Sequence, residues 1–126
     1  MVAINFSAQF AADVASGKKR QTIRQTQRAK VGDRLQLYTG QRTKSCRRLT
    51  EADPVVTRTG SIEIDEAGLK YDGHYQTPDT ADGYARYDGF ENFDQMRKWF
   101  FDRYETKRFR GFEIRWAFDD DLNQIG

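Results

Sequence analysis

Apolar residues recur at every second position in several short stretches of this chain, and that spacing constrains its fold more than any other feature. Leu35, Leu37 and Thr39 form one stretch, Ile62 and Ile64 another, and Phe112, Ile114, Trp116 and Phe118, after Phe109 and Gly111, the most apolar. Successive side chains of a strand point to opposite faces, so each stretch reads as a strand with one face buried. Gly32-Asp33 and Glu66-Ala67-Gly68 are turn signals beside them. Val2–Phe6 and Gln21–Gln25 also read as extended, Ser45–Leu49 and Val55–Thr59 supply further strands, and Pro54 belongs at an edge or a strand start.

Helical spacing occurs twice. Phe10, Val14 and neighbouring alanines follow Ser7 as N-cap and stop at Ser16-Gly17, where glycine ends helices readily. Phe93, Met96, Phe100 and Tyr104, flanked by Trp99, form a core stripe that Asn92 opens, with Gln95 three residues on. The sequence thus predicts an α+β fold, a small and mostly antiparallel β-barrel flanked by two main helices. Between Gly68 and Gly89 no period is visible, and the stretch reads as a long functional loop. Its tyrosines are expected to anchor it to the barrel, with stacking on bases as the alternative.

With 126 residues the chain is expected to form one domain over 1–118, followed by a frayed acidic tail over 119–126. No apolar run is long enough to span a bilayer and the first residues lack a secretory pattern, so no membrane partner and a cytoplasmic location are expected. A lone cysteine, Cys46, excludes an internal disulfide and is expected to be buried on a strand. One histidine, His74, reads as a solvated loop residue. With so few Cys and His ligands, neither a metal nor another cofactor is expected. The oligomeric state is left open.

Charge is unevenly distributed. From Gly17 to Arg48 there are eleven Lys or Arg residues and one acid, Asp33, whereas Leu49 to Gly126 holds ten basic and seventeen acidic residues. A basic first half suits contacts to phosphates, which release counterions from nucleic acid. Within it, the segment Gly17-Lys18-Lys19-Arg20-Gln21-Thr22-Ile23-Arg24 combines a lysine, a hydroxyl and an arginine. Thr22 is its potential nucleophile, Lys19 could ease its deprotonation, and Arg24 offers a planar fork for phosphate, carboxylate or a base edge.

Five pieces of the chain, in order, resemble the ASCH (activating signal cointegrator homology) domains of the PUA-like group of RNA-associated β-barrels. They are Ile4-Asn5-Phe6 before a helix, Gly17-Lys18-Lys19 with Thr22-Ile23-Arg24, Val31-Gly32-Asp33, Thr39-Gly40-Gln41-Arg42-Thr43, and Asp88-Gly89-Phe90 before a helix ending near Trp99-Phe100. The resemblance covers most of the chain and implies RNA or a modified nucleoside as partner. Some small bacterial members are amidohydrolases that deacetylate N4-acetylcytidine, and at least one member is described as a ribonuclease. Carried over, the catalytic lysine, threonine and carboxylate fall on Lys19, Thr22 and Asp88, although those amidohydrolases use glutamate at the last position and a shorter connection where this chain has Gly68 to Ala85. Arg24, Arg42 and Lys44 are the residues expected to contact RNA. The competing expectation is a binding module without chemistry.

Overall fold

A computed structural model describes residues 1–123. In chain order, β1 (Val2–Phe6) leads into α1 (Ala8–Ala15), followed by β2 (Gln21–Arg24), β3 (Leu35–Thr39), β4 (Arg47–Arg48) and β5 (Val55–Asp65). Then come β6 (Gly68–Tyr71), β7 (His74–Tyr75), α2 (Pro78–Tyr87), α3 (Phe93–Tyr104), β8 (Phe109–Ala117) and α4 (Asp119–Asn123). One sheet has the order β1-β3-β4, with β1 parallel to β3 and β4 antiparallel to it. The other, β2-β8-β5-β6-β7, is antiparallel throughout. The architecture is therefore α+β with mostly antiparallel pairing. The sheets meet where Arg34 bridges Val55. None of the described helices is long and apolar enough to cross a membrane.

Strand β8 lies between β2 and β5 and is buried on both faces at its middle. On one face Trp116 meets Phe6 of β1 edge to face at 5.9 Å, and on the other Phe109 packs against Phe100 of α3 at 4.6 Å. Alternation alone marked only the first of these faces. α2 and α3 cover the second, so Glu113, next to Ile114, is as buried as its apolar neighbour. Gly111 allows close approach, because a Cβ there would lie 2.5 Å from the Arg24 carbonyl oxygen.

Several expectations need correction. Val55–Thr59 and the stretch after it are not two strands but the single strand β5, bulged between Val56 and Arg58. Gly60 continues it, and a Cβ there would lie 2.6 Å from the Tyr71 hydroxyl. The segment from Gly68 to Gly89 is not a loop: it forms β6, β7 and α2. Thr77 caps α2 by accepting from the Thr80 N–H, and Pro78 sits in the first turn, where its missing N–H costs nothing. A third substantial helix thus joins the two expected. Cys46 is exposed and lies just before the short β4. Far from fraying, Asp119–Asn123 form a helical turn in which Asp121 pairs with Arg20 and Asp119 with Arg34. The rest of the acidic tail, 124–126, lies outside the described residues.

Candidate functional site

Lys19 reaches its position through a tight turn after α1. Gly17, at φ +81°, ends the helix in a conformation that L side chains rarely adopt, and the Lys19 N–H bonds back to the Asp13 carbonyl at 2.9 Å. The side chain is then buried, 3% exposed, with its ammonium 4.9 Å from the centre of the Phe10 ring. Lys19 Nζ lies 3.1 Å from Asp88 Oδ1 and also donates to the Asp88 backbone carbonyl. Asp88 caps the C-terminus of α2, where the partial negative charge of the last carbonyls favours a cation. Gly89 turns the chain away at φ +102°, and a Cβ there would come within 3.3 Å of Phe10. Asp88-Gly89 therefore works as a unit, setting the carboxylate and the turn against the lysine.

Gln21, fully buried, continues this cluster. Its Nε2 donates to Asp88 Oδ1 at 3.1 Å, while its Oε1 accepts from Arg115 Nη2 at 2.9 Å. A guanidinium has only donors, so the amide oxygen must face Arg115 and the amide nitrogen must face Asp88. Arg115 in turn stacks over Tyr87 at 4.4 Å and lies 3.5 Å from Glu113. Glu113 accepts from Arg58 at 3.0 and 2.9 Å, from Tyr71 at 2.9 Å and from Tyr84 at 3.0 Å. Gln21 and Glu113 were not legible as site-related residues. Both sit in strands that carry other polar residues, Thr22 and Arg24 in β2 and Arg110 and Arg115 in β8, so nothing in the sequence singles them out.

Thr22 faces the opposite side of β2 from Gln21, as strand geometry requires. It shares that side with Arg24, whose Nε donates to Thr22 Oγ1 at 3.1 Å and whose Nη2 donates to the Asn5 carbonyl at 2.8 Å. The Thr22 hydroxyl thus takes its bond from Arg24 and not from Lys19. Both sets of groups border one cavity of about 370 Å³, which Lys19, Thr22, Arg24 and Asp88 line together. Its walls are aromatic: Phe10, Phe90 and Trp99 form edge-on and tilted pairs with ring centres 5.5 to 5.8 Å apart, and Tyr104 borders it beside Arg103. Arg42 and Lys44 stand apart, exposed in the β3–β4 connection, and do not line this cavity. That connection is tied to the rim through Asn5, whose Oδ1 accepts from the Gln41 N–H at 2.9 Å.

Burial dominates the electrostatics. It pushes the Lys19 pKa down, against the attraction of Asp88 and with help from Arg24. Burial raises the Asp88 pKa, against Lys19 and the Gln21 donor. Arg24 is also pushed down, chiefly by desolvation. A buried lysine, carboxylate and hydroxyl thus stand beside a half-buried arginine, the inventory that proton transfer and carbonyl activation require. No protein-family model, curated protein or solved structure matches this chain.

Proposed function

We propose that this chain is an ASCH-type domain that takes an RNA base or modified nucleoside into the aromatic cavity and hydrolyses the amide of N4-acetylcytidine. The observation that carries this reading is the convergence of Lys19, Thr22, Arg24 and Asp88 on one cavity with aromatic walls. Such walls suit a planar heterocycle, and the cavity is of a size that small-molecule sites occupy. The same reading takes the two sheets as halves of a PUA-like barrel, supported by the Arg34–Val55 bridge between them.

In the proposed mechanism Thr22 Oγ attacks the acetyl carbonyl carbon, forming a C–O bond, and its proton passes to a neutral Lys19 amine. Lys19 returns that proton to N4 as the C–N bond breaks and cytidine leaves. Water then hydrolyses the Thr22 ester and releases acetate. The lowered Lys19 pKa supports the base role, and Arg24 beside Thr22 Oγ1 lowers the cost of an alkoxide. Asp88 orients the lysine. Lys19 is held by Asp88 and Thr22 by Arg24, so in this mechanism substrate rearranges one of these contacts to join base and nucleophile.

That same arrangement favours the second reading, a binding module without chemistry, in which Lys19 and Asp88 are a buried structural pair. Incubation with N4-acetylcytidine separates the two. The hydrolase reading expects cytidine and acetate in equal amounts, turnover abolished in Thr22→Ala and Lys19→Ala, and part of the rate retained in Thr22→Ser. Cytidine release absent from the unmodified protein at each of several pH values would rule it out and leave the binding module.

A further inference from the structure

The cavity carries more positive charge than a neutral nucleoside can use. Of the charged residues bordering it, Lys19, Arg24 and Arg103 are cations and Asp88 is the carboxylate. Lys19 already occupies that carboxylate at 3.1 Å. Arg24 and Arg103 have no carboxylate partner among the described residues. Other arginines are paired, Arg20 with Asp121, Arg34 with Asp119, Arg58 with Glu113 and Arg110 with Glu63, and those without a carboxylate, such as Arg42 and Arg47, are exposed away from this cavity. Arg24, although half-buried, spends its hydrogen bonds on two neutral acceptors, Thr22 Oγ1 and the Asn5 carbonyl, and stacks on Phe6 at 5.2 Å. A guanidinium removed from water without a counter-charge is costly. Burial, Arg28 and Arg103 all press on the Arg24 charge, and Tyr104 and Asp88 offset them in part.

We propose that Arg24 and Arg103 form an anion subsite at this cavity, and that it takes the phosphate of a phosphorylated nucleoside whose base lies between the aromatic walls. The preferred ligand is then a nucleotide, free or within an RNA strand, which binds more tightly than the free nucleoside. This rests on the proposed reading for the base, while the phosphate follows from the unpaired guanidiniums alone. Two arginines suit a phosphate because their planar forks match its oxygens and hold their charge at every working pH. Aromatic surface and anion site at one opening are the two halves of nucleotide recognition.

Binding of cytidine, cytidine 5′-monophosphate, cytidine 3′-monophosphate and a short cytidine-containing oligoribonucleotide, followed through Trp99 fluorescence at low salt, tests this. At least one phosphorylated ligand is expected to bind about tenfold or more tightly than cytidine. Arg103→Gln, at an exposed position, is expected to lower that ratio toward one, as is Arg24→Gln. A mononucleotide preference assigns the phosphate to a free nucleotide, and a preference for the oligoribonucleotide assigns it to RNA. Millimolar inorganic phosphate, which has no base, is expected to raise the Tm above chloride at equal ionic strength, and to do so less in Arg103→Gln. Phosphate without that effect, or ligands whose affinity ignores both their phosphate and Arg103, would overturn the subsite even if N4-acetylcytidine were hydrolysed. Phosphate stabilisation that depends on Arg103 would sustain it even if hydrolysis failed.

Discussion

Replacing Lys19 with methionine removes one charge of a buried pair and keeps most of the stem that packs on Phe10. Lys19 and Asp88 are each 3% exposed, so Asp88 is left buried with its Gln21 donor and no cation at 3.1 Å. Breaking a buried pair from one side typically costs about 3–5 kcal/mol. Asp88 can escape that cost by taking a proton. From its ordinary pKa of 3.8 each pH unit adds about 1.4 kcal/mol, which limits the penalty to about 4 kcal/mol at pH 7 and about 1 kcal/mol at pH 4.5. The sign follows from proton binding. With the Asp88 pKa raised still further in the folded variant, the folded state binds more protons than the unfolded, so stability falls as pH rises through that window and then levels off. Urea denaturation of Lys19→Met and of the unmodified protein, each at pH 4.5 and 7, measures the difference. Lys19→Met combined with Asp88→Leu is expected to regain most of the loss, because an apolar replacement of both charges leaves none unpaired. A pH-independent deficit, or a double variant no more stable than the single, would refute the reasoning.

Three further outcomes are expected. Gln21→Leu removes a donor from Asp88 and an acceptor from Arg115 at once, which should cost about 2–4 kcal/mol in urea denaturation; a loss under about 1 kcal/mol would mean that water or Lys19 replaces the amide. Gly111→Ala puts a Cβ 2.5 Å from the Arg24 carbonyl and 2.8 Å from the Phe109 ring, so the Tm should drop by about 4 °C or more. An unchanged Tm would show that β2 and β8 can part without cost. Burial and Glu113 push Tyr71 up to about 12 from 10.0. The folded state then keeps a proton that the unfolded state releases, so stability should fall as pH rises from 10.0 to about 12, and less steeply in Tyr71→Phe. Denaturation curves at pH 9, 10.5 and 11.5 for the two proteins, spanning the ordinary tyrosine range, would show equal slopes if Tyr71 were solvated.

Elements with a strong period were legible before the structure: β3 from Leu35 and Leu37, α1 from Phe10 and Val14, α3 from Phe93, Met96 and Phe100. α2 was not, because its buried residues are Ala81 and Ala85, too small to show against Gly83 and the tyrosines around them. Residue type misled at Cys46, whose neighbours Lys44, Arg47 and Arg48 need water and keep the segment exposed. At the site, the residues of one local segment, Lys19, Thr22 and Arg24, could be read together. Gln21 could not, since its partners Asp88 and Arg115 lie 67 and 94 positions away. The acidic turn after β8 posed the same difficulty, for Asp121 meets an arginine 101 positions earlier. Hydrogen-bond partners that distant leave no trace in periodicity.

The contact between Lys19 and Asp88 joins positions 69 residues apart, with six strands and a helix between them in the chain. Until α2 docks, the ammonium sits in water at its ordinary basicity and the carboxylate is hydrated elsewhere. The shifted basicity of the pair is therefore acquired at the closure of one long loop, and it is lost as soon as that loop reopens. Destabilising changes far from the cavity, at the Thr77 cap for instance, are expected to act on this pair by loosening α2 while the strands stay paired. The pairing of Lys19 with Asp88 therefore reports native packing more strictly than any measure of strand content.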